Sequence, residues 1–200
     1  MNSENLAMNE LSFASLLRAS IGLSIVALGL CGFIYSAIAT GLGQVIFPDQ
    51  ANGSMIEDNG KILGSRLVAQ PFAQDKYFIS RPSASNYDPM KMSGSNLART
   101  NPELNKLVQQ RLNNIATQNQ MNMNHIPSDL VTASGSGIDP DISVQSAMIQ
   151  VKRIAAARHL TDQEVVDLIQ QYVQQPTFGI LGQARVNVLE LNLALDQIKE

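Results

Sequence analysis

Several things are scarce in this 200-residue chain, and each scarcity excludes a class of function. There is one cysteine, Cys31, so an intrachain disulfide framework is impossible. The two histidines, His125 and His159, are far apart and have no cysteine near them, which argues against a zinc site of the usual ligand set. Tryptophan is absent and aromatics make up 5%, too few for a base-stacking platform. Fourteen basic residues against seventeen acidic ones give a net charge of −3 and no polyanion-binding surface, so nucleic acid is not an expected partner. Charged residues are only 16% of the chain, below the usual quarter of a soluble protein.

That low charge is unevenly spread. Arg18 and Asp49 bracket a stretch from Ala19 to Pro48 with no charge at all. A helix needs about 20 apolar residues to cross a hydrocarbon layer about 30 Å thick. Residues 16–40 meet that requirement, and helix is the single-segment structure that satisfies its own backbone in lipid. Gly22, Gly29, Gly32 and Ser36 read as a small-residue face for packing on other membrane helices. Ala37-Ile38-Ala39 has the form of a signal-peptidase site, but the apolar run exceeds a signal h-region and its front end carries one basic residue and two acids. The expected organisation is a short tail at 1–15, a transmembrane helix at 16–40 and a soluble α+β domain at 41–200. Too few charges flank the helix for the positive-inside rule to orient it.

In the soluble part, Asp58-Asn59-Gly60-Lys61 is turn-rich, and residues 61–69 suit short strands around a turn. Tyr77-Phe78-Ile79 reads as a strand stopped by Arg81-Pro82. Asn101-Pro102-Glu103 is a helix start. Residues 113–125, rich in Asn, Gln and Met, read as a helix end and a variable surface loop. Leu130-Val131-Thr132-Ala133 is a β-like run leading into an irregular Gly/Ser loop. Ser143 caps a helix running to about His159, and Thr161 with Glu164 has capping-box spacing for a second helix to about Val173. Arg185–Val188 is an expected strand and Leu189–Ile198 an expected terminal helix.

Catalytic motifs are missing. There is no P-loop, no nucleophile elbow and no Asp-Lys-Thr-Gly phosphorylation motif. The loop Ser134-Gly135-Ser136-Gly137-Ile138-Asp139-Pro140 has amides suited to an anion, but it has no lysine, and Asp139 and Asp141 repel phosphate.

Six blocks stand out in order: Phe47-Pro48-Asp49-Gln50-Ala51-Asn52-Gly53-Ser54, Gly64–Gln70, Tyr77–Ala84, Ser93-Gly94-Ser95-Asn96-Leu97, Asp129–Pro140 and Arg185–Asp196. Together they resemble the C subunit of the Kdp potassium-transporting ATPase. Within them Gln50, Asn52, Gly53, Ser54, Arg81, Pro82, Ser83, Ser93, Gly94, Asn96, Ser134, Gly135, Ser136, Gly137, Asp139, Asn187 and Asn192 are the motif and interface candidates. No catalytic or metal-ligating residue is assigned. The resemblance implies a bacterial inner-membrane subunit with a cytoplasmic N-terminus and a soluble domain outside. It implies a complex with a channel-like potassium-binding subunit, a P-type ATPase subunit and a small single-helix subunit. ATP and potassium are handled by that complex, with no covalent cofactor on this chain. The resemblance further implies a catalytic chaperone that raises the ATPase subunit's affinity for ATP, with Gln145 matching the residue assigned to nucleotide. A second reading rests on location: a domain outside the cytoplasmic membrane meets almost no ATP. On that reading the domain is an outer cap over the potassium entrance, where Asp49, Glu57, Asp139 and Asp141 concentrate cations without contact to nucleotide.

Overall fold

The computed structural model describes residues 13–198, so most of the expected 1–15 tail lies outside the described residues. The chain divides into two units, with the boundary between Asn52 and Gly53.

The first unit is one continuous helix, Phe13–Ile46, followed by a short turn. It comprises α1 (Phe13–Ala27), a wide π-type segment (Leu28–Ile34) and α2 (Tyr35–Ile46). At 34 residues it is long and apolar enough to cross a membrane, and it extends further at both ends than the 25 residues expected from hydropathy. The reason is local: after Thr40 no proline intervenes until Pro48, and the glycines at 41 and 43 weaken a helix without ending it. None of its residues is buried. The Ser24 hydroxyl donates to the Ser20 carbonyl at 2.8 Å, and Ser36 donates to the Gly32 carbonyl, so both of these hydroxyls are satisfied by the helix itself. In the π-type segment the Tyr35 amide donates to the Leu30 carbonyl, five residues back. This widening shifts the register of Gly32 and Ser36 relative to Gly22 and Gly29. Pro48 then opens α3 (Pro48–Ala51) as its first residue.

The second unit starts with a hairpin, β1 (Met55–Asp58) and β2 (Lys61–Ser65). Its two-residue turn places Asn59 at φ 50° and Gly60 at φ 77°, both positive, which matches the right-handed twist of the strands. Farther on, α4 (Pro102–Gln118) starts where the sequence indicates, with the Asn101 side chain accepting from the Glu103 amide at 2.9 Å. Its last turns, 113–118, are the helix end expected in 113–125. Ile115 and the C-cap Asn119 are buried, so that end is anchored in the core and not a surface feature.

A three-stranded antiparallel sheet lies at the centre, with β5 (Arg185–Asn187) between β3 (Asp141–Ser143) and β4 (Val173–Gln174). Ile142 and Val186 face each other across it and are both buried. Three helices pack with this sheet, α5 (Val144–Met148), α7 (Asp162–Tyr172) and α8 (Val188–Gln197), and α6 (Val151–Arg158) packs on α7. Phe78, Leu130, Ile142, Ile154, Val165, Ile169, Val186, Leu191 and Leu195 form the centre of the core. The expected helix from Ser143 to His159 is broken at Ile149-Gln150 into α5 and α6.

Two expected strands are absent. Leu130–Ala133 is a 3-10 turn at Ser128–Leu130 followed by irregular chain; Leu130 and Val131 are buried, so apolarity there marks depth rather than pairing. Tyr77-Phe78-Ile79 is irregular chain, with a bend at Tyr77 whose amide donates to the Gln74 carbonyl, and it pairs with no strand. Side chains take the ladder's place. Asn192 accepts from the Phe78 amide at 2.8 Å and donates to the Phe78 carbonyl at 3.0 Å, and Gln150 accepts from the Ile79 amide at 2.9 Å. Arg153 donates to the carbonyls of Asp75 and Tyr77, and Arg158 to that of Lys76. A buried segment must pair its backbone somewhere, and here four side chains from α6, α8 and the α5–α6 junction do it.

The capping box of α7 is complete: Glu164 accepts from the Thr161 amide at 2.8 Å while Thr161 accepts from the Glu164 amide. Those Thr161 hydrogen bonds hold the Glu164 carboxyl below its ordinary value of 4.5. A depressed carboxylate contributes stability that is present above the unfolded value and lost as pH falls through the folded one. Glu164→Gln should therefore flatten the acid limb of the stability curve below about pH 4.5. Thermal melts of both proteins from pH 3 to 7 check this.

Candidate functional site

The Gly/Ser loop between Leu130 and β3 is held by internal hydrogen bonds. The buried Ser134 hydroxyl accepts from the Gly137 amide at 2.8 Å, and the Ser136 hydroxyl accepts from the Ile138 amide. Ser134 is thus a turn-forming residue with its oxygen occupied, and no histidine is among its hydrogen-bond partners. The Ser134 amide donates to the Pro82 carbonyl at 3.1 Å, which ties the loop to Arg81-Pro82-Ser83. Ser83 in turn organises its own turn, accepting from the amides of Ser85 and Tyr87.

Two glycines mark where backbones touch. At Gly137, with φ +76°, a Cβ would lie 2.6 Å from both Ser85 Oγ and the Ser93 carbonyl. At Gly94 a Cβ would lie 3.0 Å from the Gly135 carbonyl oxygen. Gly137 is therefore required by both conformation and space. Arg81, Pro82, Ser83, Ser93, Gly94, Ser134, Gly135, Gly137 and Asp139, from three separate sequence blocks, come together here.

Other candidates lie elsewhere. Gln50 is in α3, and Asn52 closes that turn by donating to the Pro48 carbonyl at 2.7 Å. The Gly53 carbonyl accepts from Ser65 Oγ at 2.7 Å, and the buried Ser54 offers its carbonyl to the Arg66 amide, so both support the hairpin. Asn96 is exposed at positive φ. Asn187 caps α8 and donates to the Arg66 carbonyl at 2.8 Å. Asn192 is a core residue clamping Phe78, with both its polar atoms engaged.

Beside the loop is a cleft of about 470 Å³, lined by Arg81, Asp129, Asp139, Asp141, Gln145 and Arg185 among others. Gln145 is exposed on its rim, second in the five-residue α5. Arg81 pairs with Asp139 at 2.9 Å and Arg185 with Asp141 at 2.9 Å. Arg81 Nε is buried without a partner, so that guanidinium has donor capacity left, but its charge is matched by Asp139. Asp129 occupies the start of α5, accepting from the Ser143 amide at 2.8 Å and from Ser146 Oγ at 2.6 Å. Burial, and secondarily Asp139, push the Asp141 carboxyl up against the opposing pull of Arg185. Three carboxylates against two guanidiniums leave the cleft net negative. Asp129 and Arg185 were not among the sequence candidates. Both lie inside matched blocks, but their convergence depends on β3 pairing with β5, and the three-residue β3 has no sequence signal of its own.

Comparison with known proteins agrees with this arrangement of blocks. The family model described as K+-transporting ATPase, c chain, matches residues 17–197. A potassium-transporting ATPase KdpC subunit of Xanthomonas campestris pv. campestris is 47% identical over 180 residues, covering 90% of this chain and 86% of that protein. The Shewanella putrefaciens protein of the same name is 48% identical over 182 residues, covering 91% and 89%. That of Herpetosiphon aurantiacus is 47% identical over 185 residues, covering 91% and 96%. From the order of its blocks and near-complete coverage on both sides, the chain belongs to the KdpC family, the c chain of potassium-transporting ATPases.

Proposed function

We propose that the chain is the non-catalytic accessory subunit of a Kdp-type potassium-importing ATPase, needed for assembly and activity of the complex. Its partners are the channel-like potassium-binding subunit, the P-type ATPase subunit and the small single-helix subunit. Its apolar helix holds it in the bacterial inner membrane, with the N-terminus cytoplasmic and the soluble unit outside. The match to the family over nearly the whole chain supports the subunit role. The unburied 34-residue apolar helix supports membrane anchoring.

Of the two finer readings, the cleft favours an outer cap that stabilises the complex without contact to nucleotide. The observation that carries this is the occupancy of its charges. Both guanidiniums lining the cleft are paired with carboxylates, and Asp129 takes the place at the start of α5 that a phosphate would need. A triphosphate at Gln145 would meet three carboxylates and would have to break an existing ion pair to gain a cation. Titration calorimetry of the full-length chain in detergent with millimolar ATP should give no saturable heat. Saturable binding that disappears in Gln145→Ala would restore the nucleotide-chaperone reading.

A further inference from the structure

Between β4 and β5 the chain projects a small closed tip. Thr177 and Leu181 exchange backbone hydrogen bonds at 2.9 and 3.0 Å, and the Gly179 amide donates to the Pro176 carbonyl at 2.9 Å. The turn needs positive φ at both Phe178 (55°) and Gly179 (75°). For glycine that is routine, but for an aromatic residue it is strained. The side chains so presented are apolar and outward: Phe178 is 89% exposed, Ile180 81% and Leu181 58%. An isolated exposed leucine needs no explanation, but three large apolar residues on a rigid, internally hydrogen-bonded turn do. A turn that fixes its anchors before binding loses little entropy on docking.

Charge selects the occupant. From Val173 to Ala184 the sequence has no charged residue, so the tip offers nothing to anionic headgroups. The nearest cation in sequence, Arg185, is paired with Asp141, and the cleft that Gln183, Ala184 and Arg185 help line is net negative. Membrane-surface binding normally couples apolar insertion to basic residues, and here the neighbouring charges are of the opposite sign. A protein pocket that is apolar and uncharged fits the tip better. We propose that the 176–182 tip is an anchor of this chain on another subunit of the potassium pump, with Phe178 and Ile180 buried in an apolar pocket of that subunit. This rests on the accessory-subunit reading above and adds to it the surface by which the soluble unit is held.

The test uses the assembled complex. With Phe178 replaced by the photo-crosslinking residue p-benzoyl-phenylalanine, irradiation should yield an adduct to another pump subunit, identified by mass spectrometry. Adducts only to lipid or to a second copy of this chain, or no adduct in an assembled pump, would overturn the proposal. The double variant Phe178→Ser with Ile180→Ser should leave the detergent-solubilised complex at least about tenfold faster than wild type, while Phe178→Leu is retained. Both should keep the wild-type circular dichroism melt, since these side chains are largely exposed and lie outside the core. Equal retention of the double variant would also overturn the proposal. If the wild-type chain itself failed to co-purify with the pump, the accessory-subunit reading would fall and this proposal with it. A wild-type chain that co-purifies, with its crosslinks elsewhere, would remove the tip proposal alone.

Discussion

Replacing Phe78 by alanine should destabilise the soluble unit by about 3–5 kcal/mol, the usual cost of emptying a fully buried aromatic site. Phe78 is 0% exposed and sits at the centre of the core, so solvent cannot fill the gap at low cost. Its backbone adds a second vulnerability. Asn192 supplies both the acceptor for the Phe78 amide and the donor for its carbonyl. Asn192→Ala should leave both groups buried and unpaired, at about 1–3 kcal/mol each before relaxation. Asn192→Asp would keep only the acceptor while adding a buried charge, so at neutral pH it should cost at least as much as Asn192→Ala. Urea denaturation of the full chain in detergent, followed by far-ultraviolet circular dichroism, gives the values. A Phe78→Ala loss below about 1 kcal/mol would mean that this segment is not part of the core in solution.

Arg158→Met is the second large effect, at about 2–4 kcal/mol. Arg158 is 4% exposed and donates to the carbonyls of Lys76 at 2.9 Å and Leu195 at 3.1 Å, and to Asp196 at 2.5 Å. The Asp196 side chain is 43% exposed, so on losing its partner it can rehydrate, and the ion pair itself contributes modestly. The main cost falls on the Lys76 carbonyl, which loses the Arg158 donor, while the Leu195 carbonyl in the last turn of α8 keeps the Ile198 amide at 3.2 Å. Tyr77 provides an independent readout. Burial, then the Asp196 hydrogen bond and charge, raise its phenol above 10.0, while Arg158 opposes them from 5.0 Å off the ring centroid. Without Arg158 the phenol should titrate higher still, visible in an ultraviolet pH titration. An unchanged or lowered value would show that the guanidinium is not beside the ring.

These residues also show which features the sequence made legible. Helix starts were readable because their causes are local: Asn101 caps two residues away, and Thr161 and Glu164 cap each other within one turn. The apolar helix was readable from the run without charge, although its ends were not, because glycine only weakens a helix. Tyr77-Phe78-Ile79 had the composition of a strand, yet its partners are Gln150 and Asn192, 71 and 114 residues away, which no local pattern reports. Arg158 did carry a signal. It falls on the apolar stripe of Val151, Ile154 and Ala155, where a cation is expected only if it is satisfied inside. The blocks around Arg81, Gly94 and Gly137 were recognisable as family motifs. That they meet is a property of the fold, and the 2.6 Å approach at Gly137 is its clearest mark.

The most direct measurement is potassium-stimulated ATP hydrolysis by the purified pump, prepared without this chain, with the wild-type chain, and with Gln145→Ala. The account predicts background hydrolysis without the chain and full restoration, at unchanged KM for ATP, by both wild type and Gln145→Ala. Undiminished hydrolysis in the pump lacking the chain would contradict the subunit role, and a raised KM for ATP with Gln145→Ala would contradict the cap.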